Sequence, residues 1–175
     1  MEYQIKSLFS DITLGICKIG NGRNEEIKSS PLLLSKMLGY IETIEHNKDG
    51  KPIIASHNIS ITHTKGLLAI ILSKKYKVGI DIEYISNRVK KVAKRFLCID
   101  EKYTNTTELL QVWCAKEAIY KLYSEQHLSF QNIHINLKKI KAKIYFNNSK
   151  KKQFIKLPIQ YLITEEYVLC IVWKI

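Results

Sequence analysis

Apolar and polar residues alternate through VGIDIEYI, Val78 to Ile85. Period two predicts a half-buried strand. Side chains at i and i+2 share a strand face, so Asp81 and Glu83 project to the same side. Two carboxylates there repel one another, and neither residue is a good strand former. Such an arrangement asks for a cation. Nearby, NISITHT (58–64) and GLLAIIL (66–72) read as two further strands, the second joined to KVGIDIEYI by the short basic turn SKKYK. DITLGICKI (11–19) reads as the first strand of the chain, and IQYLITEEYVLCIVW (159–173) as a closing hairpin.

Between the strand clusters the period lengthens. SSPLLLSKMLGYIETI (29–44) has a serine cap, Pro31 in the first turn and apolar residues at helical spacing. KDGKP (48–52) is a turn. SNRVKKVAKRFL (86–97) places Val89, Val92, Ala93, Phe96 and Leu97 on one stripe, which predicts an amphipathic helix with a basic outer face. TTELLQVWCAKEAIYKLYS (106–124) predicts a longer helix with the stripe Leu109, Val112, Ala115, Ile119 and Leu122. NNSKKKQ (147–153) reads as a solvated loop. Strands at both ends with helices between them predict an α+β fold.

Composition changes the picture in one respect. The chain has 175 residues, enough for one globular module or two small lobes. Its 28 Lys and Arg exceed its 16 Asp and Glu, giving +12, which favours a polyanionic partner: nucleic acid, acidic protein, anionic membrane or phosphorylated small molecule. Cys17, Cys98, Cys114 and Cys170 are scattered, without a C-x-x-C pair or zinc-finger spacing, as expected for free thiols in a reducing cytosol. The N-terminus lacks signal-peptide character and no 18-residue apolar run occurs, so a cytoplasmic protein without a membrane segment is expected.

Candidate chemistry comes from a joint pattern. Glu117 and Lys121 lie one helical turn apart, roughly opposite the apolar stripe; alone they are a surface pair contributing about 0.2–0.5 kcal/mol. Asp81 and Glu83 alone are a solvated strand edge, and His63 alone is a strand histidine held by a neighbouring backbone group. Together these residues form a kit for phosphate. Magnesium takes carboxylates, phosphate oxygens and water in an octahedron, and Asp81, Glu83 and Glu117 supply the carboxylates. Lys121 and His63 supply charge for a phosphate or leaving group.

VGIDIE followed by WCAKEAIYK (Trp113–Lys121) closely resembles the signature of the 4′-phosphopantetheinyl transferases, and GKP (50–52), ISITHT (59–64) and FLCIDE (96–101) extend the resemblance from Gly50 to Lys121. The resemblance is to the larger, pseudodimeric group: two similar α+β lobes in one chain, each a small, mostly antiparallel sheet packed by helices. It implies lobes at 1–72 and 73–175 with the site at their interface. It further implies transfer of 4′-phosphopantetheine from coenzyme A to a serine of an acidic acyl- or peptidyl-carrier protein, with Mg2+ or Mn2+ bound by Asp81, Glu83 and Glu117. Asp81, Glu117 and Lys121 would be catalytic, and Lys51, Pro52, Thr62, His63 and Lys116 would contact coenzyme A. Larger relatives carry basic residues near the first-lobe helix for the 3′-phosphoadenosine; here that region offers only Lys28 and Lys36. The basic face of Asn87–Arg95 is the expected carrier-docking surface. A monomer is expected, since the chain contains its own cleft. Two rivals stand: a catalytically silent relative that binds coenzyme A or a carrier, and a nucleic-acid-binding module, for which no recognised motif is present.

Overall fold

The computed structural model describes residues 2–9, 11–146 and 153–175; the lysine-rich loop expected at 147–153 lies almost wholly outside them. Its strands are β1 (Tyr3–Phe9), β2 (Ile12–Lys18), β3 (Glu45–His46), β4 (Pro52–Ile53), β5 (Asn58–Thr64), β6 (Leu67–Ser73), β7 (Lys77–Tyr84), β8 (Ile133–Asn136), β9 (Lys141–Phe146), β10 (Gln153–Ile163) and β11 (Tyr167–Lys174). Its helices are α1 (Arg23–Leu38), α2 (Arg88–Phe96) and α3 (Thr106–Leu122). The fold is α+β. One antiparallel sheet runs β1-β2-β6-β5 and a second runs β7-β11-β10-β9-β8. Among the described residues, no helix is long and apolar enough to cross a membrane.

The sheets are stacked between helices. Leu68, Ile70 and Leu72 of β6 pack with Leu33 and Leu34 of α1. Leu67, Ala69 and Ile71, facing the other way, meet Val78, Ile80 and Ile82 of β7 and Leu169 and Ile171 of β11. This is why β6 is apolar at nearly every position: both its faces are covered. On its far side the second sheet buries Leu157, Ile159, Val168 and Val172 against Leu109, Val112, Ala115 and Ile119 of α3. Each fully buried aliphatic side chain contributes roughly 1.5–3 kcal/mol.

Two expectations need correction. The first strand is β1, not residues 11–19; it is an edge strand whose side chains are mostly exposed, so it lacks a clear apolar stripe. The first helix begins at Arg23, not at a serine cap beside Pro31. Glu25 and Glu26 occupy its first turn, where negative charge suits the helix dipole. Pro31 therefore sits inside the helix, on its exposed side, and removes one backbone donor. The helix stops at Leu38 because Gly39 adopts a left-handed conformation (φ 80°) and its N–H donates to the Ser35 carbonyl at 2.9 Å.

Candidate active site

β7 ends one sheet and β5 ends the other, and the two edges meet without forming a ladder. Hydroxyls from alternate β5 positions bridge them instead. Ser60 Oγ accepts from the Ile80 N–H at 3.3 Å and Thr62 Oγ1 from the Ile82 N–H at 3.4 Å. Thr62 Oγ1 also donates to Asp81 Oδ1 at 3.0 Å, and Thr64 Oγ1 to Glu83 Oε2 at 3.1 Å. Period two in β5 thus matches period two in β7, hydroxyl to carboxylate.

Helix α3 covers the acid-bearing face of β7, and Gly79 sets how closely. A Cβ on Gly79 would stand 2.1 Å from the Ala118 carbonyl oxygen. That contact brings Trp113, Glu117 and Lys121, one helical turn apart, alongside Glu83 and Asp81. Trp113 Nε1 donates to Glu83 Oε1 at 3.2 Å. Lys121 Nζ donates to Asp81 Oδ1 at 2.7 Å and to the Ile80 carbonyl at 3.2 Å. So the face that looks outward on a helical wheel faces the acids.

Three carboxylates here oppose one ammonium. Burial, then the charge of Asp81, push the Glu117 carboxyl up to about 7, with Lys121 partly offsetting the rise. Burial and Asp81 also raise Glu83. Asp81 is buried, and its Oδ2 has no hydrogen-bond partner among the described residues. A buried acceptor without a partner is costly. The donor set suits a hard divalent cation: oxygen ligands, excess negative charge and one idle buried oxygen. As arranged, the ligand oxygens of the three acids do not all lie within 4.8 Å of one another, and Lys121 occupies Asp81 Oδ1.

A profile of the 4′-phosphopantetheinyl transferase superfamily matches residues 77–172. The chain belongs to that superfamily. The match runs from the first residue of β7 into β11, and so includes both acids of the strand, α2 and the whole of α3. No match is found among curated proteins.

The structure distributes the remaining candidate residues of this transferase-family chain unevenly. Lys116, expected at the coenzyme, points the other way and is fully buried. Its ammonium is held by Glu101 at 2.7 Å and by the carbonyls of Phe96 at 2.7 Å and Phe130 at 3.1 Å. The helical angle, one residue off the Glu117 stripe, turns it into the core and leaves it no access to a ligand. Lys28 and Lys36 are exposed on α1 and line no described cavity. Thr62 is committed to Asp81. His63 lies on the opposite face of β5, half-exposed, with Nδ1 2.9 Å from Glu26; it lines a cavity of about 440 Å³ with Arg23 and His46. Lys51 and Pro52 line a larger cavity, about 490 Å³, at the start of β7. Asn47 Oδ1 presents Lys51 by accepting from its backbone N–H at 2.9 Å.

Thr64 and Trp113 enter the sequence reading only within the motifs ISITHT and WCAKEAIYK, yet both hold Glu83. Spacing carried the signal: Thr64 stands two residues from Thr62, and Trp113 one turn before Glu117. A separate trio, Cys98, Asp100 and His134, does bring its ligand atoms within 4.8 Å of one another. Its groups are otherwise engaged. The Cys98 thiol lies 3.5 Å from the Ile133 carbonyl and 3.2 Å from the Lys116 ammonium, which opposes a cation, and His134 Nδ1 pairs with Asp100 at 3.0 Å.

Proposed function

We propose that the chain transfers the 4′-phosphopantetheine arm of coenzyme A to a serine hydroxyl of an acyl- or peptidyl-carrier protein, releasing 3′,5′-ADP. The observation that carries this reading is the meeting of Asp81, Glu83, Glu117 and Lys121 along one strand edge, with a buried Asp81 oxygen left unpaired. In this reading residues 1–72 and 73–175 are the two lobes, and the junction of β5 and β7 is the floor of the cleft between them.

The new bond joins the serine oxygen to the pantetheine-side phosphorus, and the bond to the bridging oxygen of the pyrophosphate breaks. Asp81, Glu83 and Glu117 would hold Mg2+ or Mn2+, which would supply charge neutralisation on the pyrophosphate. Glu117, one helical turn from Lys121 and beside Asp81, would also take the serine proton as general base. Lys121 places its ammonium beside the reacting groups and stabilises the departing phosphate. Thr62, Thr64 and Trp113 fix the carboxylates so that little reorganisation is needed. Lys51, Pro52 and His63 contact coenzyme A. Five cations of α2 and its cap region, Arg88, Lys90, Lys91, Lys94 and Arg95, are exposed with no acid among them, which suits an acidic carrier. Four buried, unpaired cysteines suit a reducing cytosol.

The test is the mass of an apo acyl-carrier protein after incubation with this chain, coenzyme A and Mg2+. The carrier should gain one phosphopantetheine arm, and Asp81→Asn should abolish the gain while remaining folded. A carrier unchanged by the wild-type chain across a panel of apo carriers from the same genome rejects the transfer reading.

A further inference from the structure

The cavity of about 490 Å³ holds charge that the acid cluster does not account for. Four lysines reach it from separate stretches: Lys51 before β4, Lys74 from the turn after β6, Lys77 at the first position of β7 and Lys174 at the last of β11. Glu125 is the single acid among its described lining residues. Lys77 and Lys174 are direct partners across the β7–β11 ladder. Like charges directly opposite one another destabilise a strand pair. None of the four lysines makes an ion pair among the described residues. Lys174 is nonetheless positioned, its ammonium 3.9 Å from the centre of the Tyr123 ring in the cavity wall.

The electrostatics agree with the geometry. Burial lowers the pKa of both Lys51 and Lys174; Glu125 partly offsets this in each, and the neighbouring Lys77 lowers both further. His57, also in the lining, is lowered by burial and by Lys74. A folded chain that gathers four ammonium groups around one concavity gains by filling it with an anion of several charges. One carboxylate would neutralise only one of them. The volume lies within the small-molecule range.

We propose that this cavity binds a phosphate-bearing small molecule, gripped by the cross-strand pair Lys77 and Lys174 and flanked by Lys51 and Lys74. At about 3.4 Å per strand residue, Lys77 lies about 14 Å along β7 from Asp81. Two sources share this chemistry: a distal phosphate of the coenzyme held at the acid cluster, which rests on the transfer reading above, and an independent polyphosphate, which does not.

The experiment is titration calorimetry of the full chain with tripolyphosphate, coenzyme A and dephospho-coenzyme A. It compares wild type with Lys77→Gln/Lys174→Gln and with the exposed control Lys138→Gln/Lys139→Gln, which removes the same charge elsewhere. Tripolyphosphate should bind wild type and the control alike, and the cavity variant at least tenfold more weakly. If coenzyme A loses the same factor while dephospho-coenzyme A does not, the phosphate is the coenzyme's own. If only tripolyphosphate loses affinity, the ligand is independent. Equal losses in the cavity variant and the control, or no binding of any of the three by wild type, overturn the proposal. The unliganded variant should melt no lower than wild type, because two opposed charges have gone. The tripolyphosphate arm stands even if no arm is ever transferred to a carrier.

Discussion

Glu117 shows how far a single residue's behaviour departs from its bland reading as one half of a surface ion pair. Its carboxyl is raised from 4.5 to about 7 because it is partly buried beside Asp81 and Glu83. A raised acid pKa means that the folded state binds the proton more tightly than the unfolded state. Stability of the metal-free protein should therefore fall as pH rises from about 4.5 to about 7. Glu117→Gln removes this linkage. Thermal melts in chelator should show the variant gaining on wild type between pH 5 and pH 8; a difference that stays flat across that range contradicts the electrostatic account. Gly79 is the second decisive residue. Gly79→Ala must push the Ala118 carbonyl away, an overpacking cost of about 1–3 kcal/mol or more. Denaturant melts should show that loss, and phosphopantetheine transfer should fall with it because Glu117 and Lys121 ride on the displaced helix. Transfer at the wild-type rate would remove Gly79 from the site. Nothing in the alternation around Gly79 reveals that its neighbour is the backbone of α3.

Among the elements, α3 does the most to assemble the site, and the sequence made half of its role readable. The apolar stripe at Leu109, Val112, Ala115, Ile119 and Leu122 is core, as its spacing implies. The opposite stripe, Trp113, Glu117 and Lys121, reads on a wheel as solvent-facing, yet it lies along the acids of β7. A single helix has two sides to cover when a strand edge and a second sheet flank it, and periodicity reports only the apolar one. Lys116 erred in the opposite sense: a lysine beside a catalytic-looking glutamate attracts a ligand-binding role, but its partners, Glu101 and two main-chain carbonyls, come from distant segments. Long-range pairing of this kind leaves no local pattern. The hydroxyl bridge from β5 was half visible, because Thr62 and Thr64 share a face by strand alternation while their alignment with Asp81 and Glu83 depends on how two sheet edges meet.

At the scale of the molecule, two antiparallel sheets stack between α1 and α3, and the edges β5 and β7 meet where the acids lie. The +12 charge, diffuse in the sequence, resolves in the fold into a basic face on α2 and a lysine-lined cavity at the start of β7. Strand clusters and helix order were legible because period two and period 3.6 are local properties. The cavity was not, because Lys77 and Lys174 become partners only through the β7–β11 register. What unites these scales is the divalent-cation site proposed at Asp81, Glu83 and Glu117. Manganese binding followed by electron paramagnetic resonance tests it most directly. The wild-type chain should bind one Mn2+, Asp81→Asn and Glu117→Gln should each weaken binding at least tenfold, and Asp100→Asn, in the separate trio, should leave it unchanged. Manganese bound equally well by Asp81→Asn and lost in Asp100→Asn would contradict the account.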